Sequence, residues 1–244
     1  MLIGVDFDNT IVSYDALFHR IARERGLIPA DLPINKNAVR DYLRAAGAED
    51  TWTELQGEVY GARMAEAKPF PGVREFFLAC RERGLRVVIV SHKTKHPFRG
   101  PAHDLHAAAH AWLERHGFFD PAQIGLKPND VFFELTKADK IRRIAASHVT
   151  HFIDDLPEIF TDASFPSGAR RFLFDPQGAA ATTVAFDAVR NWQTLTDTIP
   201  LPTTGEIVRR LGFTPVGTAQ PIQGGANNRV CRQQLNDGRT VLVK

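Results

Sequence analysis

The sequence predicts an α/β protein built on a doubly wound, Rossmann-type parallel sheet, with a small helical cap inserted after the first strand. Three observations lead there. Apolar runs too short for helices, Leu2 to Val5, Val87 to Val90 and His151 to Ile153, each end abruptly in polar or acidic residues, as strands buried on both faces of a parallel sheet do. Strand-like and helical segments alternate along the chain, the order that parallel βαβ units produce. From about Ser13 to Lys68 the alternation stops and the pattern turns helical throughout. A right-handed crossover needs only one helix, so the additional helices are expected to form a lobe over the strand ends.

The first strand delivers Asp6-Phe7-Asp8-Asn9-Thr10 at its C-terminal end. Strand alternation would point the two carboxylates to opposite faces, but as the chain leaves the sheet Asp6 can face a pocket while Asp8 turns over it. A solvated turn is the plain alternative, since Asp and Asn are ordinary turn residues. Within the insert Leu17, Ile21 and Ala22 share one helical face, Val39, Tyr42 and Leu43 a second, and Leu55, Val59 and Tyr60 a third. Trp52, Tyr60 and Arg63 are its candidates for contacting a leaving group, although aromatic residues at helical spacing more often belong to a core.

Phe70-Pro71-Gly72-Val73 opens a helix that runs to about Arg83 and stops at Gly84. Val87-Val88-Ile89-Val90 then ends in Ser91-His92-Lys93-Thr94, where a hydroxyl and neighbouring backbone N–H groups can hold a phosphate oxygen. Further on, His106 and His110 lie one helical turn apart, with His103 on the same side. No glutamate follows His106 and the companions are alanines, so a polar helix face explains the spacing better than zinc. Thr136-Lys137-Ala138-Asp139-Lys140 reads as a helix start, with Thr136 as N-cap and Asp139 as the returning acid. A short apolar strand then ends in Asp154-Asp155, and two adjacent acids at a strand end need a cation. Phe172-Leu173-Phe174-Asp175-Pro176 is expected to be the last main strand, followed by a helix ending near Asp197.

Taken in order, Asp6-x-Asp8-x-Thr10, Ser91, the lysine of the Thr136 helix and Asp154-Asp155 resemble the four motifs of the haloacid dehalogenase (HAD) superfamily. The resemblance implies a phosphoric monoester hydrolase that works through an aspartyl-phosphate. Asp6 is then the nucleophile and Asp8 the general acid and base. Mg²⁺ is bound by the Asp6 and Asp154 carboxylates and the Asp8 carbonyl, with Asp155 orienting the coordinated water. Thr10, Ser91, His92 and the lysine fall to phosphate binding. Lys137, at the helix N-terminus where an anionic site would sit, is the first choice for that lysine, and Lys140 is the alternative. A dehalogenase needs no acid for a halide, so Asp8 favours phosphoryl transfer. A phosphomutase with the same motifs, or a non-catalytic phosphatase-like module, are the other readings.

Composition sets the remaining bounds. A chain of 244 residues with 43% hydrophobic content can bury a sizeable core. Thirty Lys plus Arg against 28 Asp plus Glu leave a formal charge of +2, which argues for neither a nucleic-acid nor a membrane-surface partner. The expected partner is a small phosphorylated metabolite. Cys80 and Cys231 have no metal-ligand spacing, and with no leader or spanning run in the sequence a cytoplasmic location is expected.

The tail forms a second region. Ile199-Pro200-Leu201-Pro202 reads as a linker, which places the expected domains at 1–200 and 201–244. A short helix from Thr204 to Gly212, the stretch Ile222 to Val230 containing Gly224-Gly225, the turn Asn236-Asp237-Gly238 and the strand ending in Lys244 follow. They resemble the opening of the aminoglycoside phosphotransferase and choline kinase family. The resemblance implies a truncated piece of a phosphatase–kinase fusion, without the catalytic Asp or metal ligands of a kinase.

Overall fold

The structure is a computed structural model that describes residues 1–178, 185–198, 204–222 and 230–243. The chain divides into two compact units, Met1–Thr198 and Ile199–Lys244.

The first unit is organised by a six-stranded sheet. Its strands are β1 (Leu2–Val5), β4 (Arg86–His92), β5 (Val131–Glu134), β6 (His151–Asp154), β7 (Arg170–Phe174) and β8 (Asp187–Val189). They lie in the order β5-β4-β1-β6-β7-β8 and pair in parallel throughout. The chain moves outward from β1 to β4 and β5, then returns to lay β6 on the other side of β1. The winding therefore reverses at the β1/β6 pair, the crevice where open α/β sheets present their ligand sites at the strand C-termini.

Burial explains the apolar runs. Ile3, Val5, Ile89, Val90, Phe152 and Ile153 are all 0–1% exposed. Gly4 has a packing reason: a Cβ there would meet the Phe152 ring at 2.5 Å, so only glycine lets β6 lie so close. The helices of this part are α4 (Val73–Glu82), α5 (Leu105–Arg115), α6 (Lys137–Ala146), α7 (Pro157–Phe160) and α8 (Trp192–Thr198). Cys80 is buried on α4, and burial pushes its thiol up to about 12.

Phe174 does not end the sheet. The three residues of β8 extend it, with Asp187, Ala188 and Val189 in register with Phe172, Leu173 and Phe174. An edge strand this short, with two of its three residues exposed, carries no apolar run that the sequence could display.

The insert leaves and rejoins the sheet through an antiparallel pair, β2 (Val12–Ser13) and β3 (Lys68–Pro69). Between them lie α1 (Asp15–Glu24), α2 (Lys36–Ala45) and α3 (Glu49–Tyr60). The three periodic faces are buried against each other, although Tyr42 turns outward at 41% exposure. Asn35 caps α2 by accepting hydrogen bonds from the N–H groups of Asn37 and Ala38. Trp52 is buried beside Phe18, with ring centroids 5.0 Å apart, and is a core residue of the insert. Arg63 is spent on ion pairs with Glu24, Glu58 and Glu66.

In the second unit α9 (Thr204–Arg210) accompanies a three-stranded antiparallel sheet, ordered β11 (Thr240–Val243), β10 (Val230–Leu235), β9 (Pro215–Ile222). Asp237-Gly238 makes the predicted turn, with Gly238 at φ 83°. The residues on which the kinase resemblance mainly rests, Gly224, Gly225 and Lys244, lie outside the described residues. Among the described residues no helix is long and apolar enough to cross a membrane.

Ending the chain at Thr198 is expected to leave the first unit folded, because its sheet and insert form one compact unit without the tail. Thermal melts check this. A fall beyond the ~2–4 °C that 1 kcal/mol produces in a domain of this size would show that the tail is integral to it.

Candidate active site

Asp6 is the first residue past β1, and its N–H donates to the Ile153 carbonyl at 2.9 Å, which carries the β1/β6 pairing one step beyond the strand. Its side chain is buried at the switch point. Phe7 turns the other way, into edge-on contacts with Trp112 and Phe133. The chain then reverses at Asn9, whose φ of 58° lies in the left-handed region that Asn tolerates better than most residues. The N–H groups of Ile11 and Val12 both donate to the Phe7 carbonyl at 3.0 and 3.1 Å and close the loop. Trp192 clamps it from α8 by donating to the Thr10 carbonyl at 3.2 Å.

Asp154 ends the neighbouring strand, fully buried. Its Oδ1 accepts from the N–H of Leu156 at 3.0 Å. Asp6, Asp154 and Asp155 each offer an oxygen within 4.8 Å of the others, the one cluster of at least three metal-ligating side chains among the described residues. Thr10 Oγ1 bridges two of them at long range, 3.4 Å from Asp6 Oδ2 and 3.5 Å from Asp155 Oδ1.

Between the strands stands Lys140. Its ammonium is 2.6 Å from Asp6 Oδ1 and 2.6 Å from Asp154 Oδ2, with the side chain 1% exposed. Only the first contact has hydrogen-bond geometry, so Asp154 Oδ2, though beside a cation, is a buried oxygen without a hydrogen-bond donor. Burial opposes the lysine charge, but Asp154 and then Asp6 outweigh it and hold the ammonium above the usual lysine range. Burial moves the carboxyls upward too. Asp154 rises to about 7 against the pull of Lys140, and Asp155 rises well above the carboxylate range through burial and the charges of Asp6 and Asp154. Three carboxyls whose oxygens converge this closely suit a cation with oxygen ligands.

Of the two candidate lysines, the structure brings Lys140 to the carboxylates and leaves Lys137 outside. Lys137, at the first position of α6, points outward, 46% exposed, with its ammonium 3.6 Å from Asp162. The face of α6 that the sheet covers carries Lys140, Ile141 and Ile144. One helical turn inward, rather than the helix tip, is what reaches the switch point. His92 does not join the site either. Ser91 is buried at the end of β4, while strand alternation turns His92 to solvent.

The same alternation brings in a residue that motif matching passed over. Lys93 is buried, with its ammonium 3.0 and 2.9 Å from the two oxygens of Asp8. The Tyr14 hydroxyl donates to Asp8 Oδ1 at 2.6 Å. Burial, and then the Asp8 charge, push the Tyr14 phenol well above its usual range. From α5, His106 Nε2–H donates to the Lys93 carbonyl at 2.8 Å, and His110 stacks on Phe119.

The insert contributes Tyr60 and Lys36. Tyr60 is the one leaving-group candidate of the three to reach this region, its ring edge-on to Tyr14 at 4.9 Å. The Lys36 ammonium lies 3.5 Å from Asn9 Oδ1; burial works against its charge, but Tyr60, Asp155 and Asp8 raise it overall. A cavity of about 370 Å³ opens here, lined among others by Asn9, Tyr14, Lys36, Arg40, Asp155 and Phe174.

Neither a family model nor a curated protein sequence matches this chain. Solved structures do match in fold. Protein tyrosine kinase A of Mycobacterium tuberculosis superposes with a TM-score of 0.53 at 16% identity, over 80% of this chain and 96% of that one. A family IA, variant 3 HAD hydrolase of Entamoeba histolytica does so with a TM-score of 0.50 at 12% identity, over 86% of this chain and 99% of that one. Identity this low speaks for architecture alone, and with the reversal of winding at Asp6 and Asp154 it leads to one statement: this chain has the fold of the haloacid dehalogenase-like hydrolases.

Proposed function

We propose that this chain is a Mg²⁺-dependent phosphomonoester hydrolase that acts through an aspartyl-phosphate on Asp6 and takes a small phosphorylated metabolite in the cytoplasm. The observation that carries this reading is the buried Asp6–Lys140–Asp154 arrangement with Asp155 beside it. It joins a nucleophile, a cation for a phosphoryl oxygen and an all-oxygen metal site at one switch point. Asp6 and Asp154, with Asp155 behind them, are the residues that would hold the ion. Bound there, Mg²⁺ would offset the repulsion between a phosphate dianion and the attacking carboxylate.

The remaining chemistry belongs to the side chains. An Asp6 oxygen forms a bond to phosphorus as the bond to the leaving oxygen breaks. Asp8 gives that oxygen its proton. Asp8, now a carboxylate, takes a proton from the water that attacks phosphorus, and Asp6 is released with inorganic phosphate. Lys140 and the Ser91 hydroxyl hold phosphoryl oxygens against the charge that develops on them. The cavity beside Lys36 and Arg40 suits a leaving group of metabolite size.

A panel of small phosphomonoesters assayed with and without Mg²⁺ tests the proposal. Phosphate release is expected only with the metal, and release that survives full chelation would overturn it. Mg²⁺ binding should also depend on pH. Burial raises Asp154 to about 7 and lifts Asp155 above its usual range, so protons compete with a cation for these carboxyls. Affinity is expected to rise as pH rises through about 7, with protons released on binding. For stability the sign is that of a raised acid: the contribution is complete below the unfolded value of about 3.9 and is lost as pH passes the folded one. The metal-free protein should therefore lose stability between about pH 4 and 7. Calorimetric titrations in buffers of different ionisation enthalpy decide the matter, and pH-independent binding without proton release would count against it.

A further inference from the structure

Lys93 is a buried cation in this region to which the reaction above assigns no part. Its side chain is 3% exposed, and both oxygens of Asp8 lie within 3.0 Å of its ammonium. The ammonium also stands 4.9 Å from the ring centroid of Tyr60 and 5.6 Å from that of Phe7, so the insert and the sheet close round it together. Taking an ammonium out of water is costly unless a partner offsets it, and among the described residues its ion-pair partner is Asp8. Tyr14 holds one of the same carboxyl oxygens at 2.6 Å. Asp8 is thus gripped by a cation from the end of β4 and a hydroxyl from the start of the insert.

The geometry points to Lys93 as the positioning residue of Asp8, fixing its carboxyl between sheet and insert and meeting the charge it acquires in proton transfer. This rests on the phosphatase reading. When the bond from phosphorus to the leaving oxygen breaks, the electron pair stays on that oxygen, which takes the Asp8 proton. Asp8 becomes a carboxylate in a site that already holds three other carboxyl groups. Lys93 faces that new charge and takes no part in the proton transfer. In the second half the Asp8 carboxylate accepts the proton of the attacking water, still held against Lys93. A cation that bound substrate directly would behave differently: its loss would weaken binding of every substrate alike.

The test compares Lys93→Met, Lys93→Arg, Asp8→Asn and the Lys93→Met/Asp8→Asn double variant, each confirmed folded by thermal melt. The substrates are phenyl phosphate, a poor leaving group, and 2,4-dinitrophenyl phosphate, which needs no acid. Part of the roughly 10²- to 10⁴-fold that a positioned acid supplies depends on its positioning. Lys93→Met is therefore expected to lose about tenfold or more in kcat with phenyl phosphate, with little change for the dinitrophenyl ester or in KM. Lys93→Arg should recover part of the loss, and the double variant should be no slower than Asp8→Asn. Equal losses on both esters, a raised KM at unchanged kcat, or a further loss in the Asp8→Asn background would overturn the assignment. A crystal structure of Lys93→Met gives a readout independent of turnover, with Asp8 expected to leave its place beside Tyr14. If the parent releases no phosphate, the phosphatase reading falls, and this structure alone decides whether Lys93 positions Asp8. An unmoved carboxyl there would overturn it.

Discussion

Asp6→Asn is expected to abolish phosphate release and, with it, any phosphoaspartate that can be trapped. An amide has no anionic oxygen to offer phosphorus, and the loss should approach the scale of deleting the nucleophile in other covalent enzymes, on the order of a millionfold. The substitution also removes one of the two carboxylates facing Lys140. Part of any fall in melting temperature therefore belongs to the broken buried pair rather than to catalysis. Asp8→Asn separates the roles of the two acids. It should cost far more with a poor leaving group than with an activated aryl phosphate, because only the former needs a proton. Mass spectrometry of the quenched protein, run beside the phosphate assay, is the measurement. A phosphoenzyme that still forms in Asp6→Asn would move the nucleophile elsewhere.

Lys140→Ala is expected to cost both rate and stability. Lys140 is the shared partner of two buried carboxylates. Its removal leaves Asp6 and Asp154 facing each other without compensation, and breaking a buried pair typically costs about 3–5 kcal/mol. Turnover should fall roughly a hundredfold or more, the scale of losing one preorganised stabilising group. Added Mg²⁺ should raise the melting temperature more in this variant than in the parent, since a cation bound by the same carboxylates restores the missing charge. Lys137→Ala, whose ammonium lies at the surface beside Asp162, should behave nearly as the parent does in both assays. Melts with and without metal, together with phosphate release, check the pair, and the reverse ranking would return the role to Lys137.

These two lysines mark how far the site could be read before the fold was in view. Thr136 and Asp139 announced the start of α6, and the capping hydrogen bond from Asp139 N–H to Thr136 is present at 3.0 Å. What the cap could not announce was which turn of the helix the sheet would cover. Preference for Lys137 rested on the local field of a helix N-terminus, whereas the arrangement was decided by packing: Ile141 and Ile144 seat α6 on the sheet, and Lys140 is drawn into the same buried stripe. Lys93 shows the converse. Its alternation with His92 was readable, since Ser91 and Lys93 share a side of the strand end, but its partner Asp8 lies 85 residues away, and no local pattern joins them.

What this chain determined by its sequence is therefore what depends on neighbours a few residues apart. Short apolar runs that end in acids read as buried strands of a parallel sheet, alternating segments wind it, and acids placed just past those runs emerge at its C-terminal edge. Asp6, Asp154 and Asp155 follow from that, as does the insert between Val12 and Pro69. The tertiary structure alone decided the contacts across long stretches of chain: Lys140 rather than Lys137 between the carboxylates, Lys93 and Tyr14 on Asp8, Lys36 brought over Asn9 from the insert, and three residues of β8 added to the edge. The reason is physical. Strand and helix periodicity is enforced by backbone hydrogen bonds within each segment, but the face of a lysine that escapes water is chosen by the packing of elements that meet only when the whole sheet has formed.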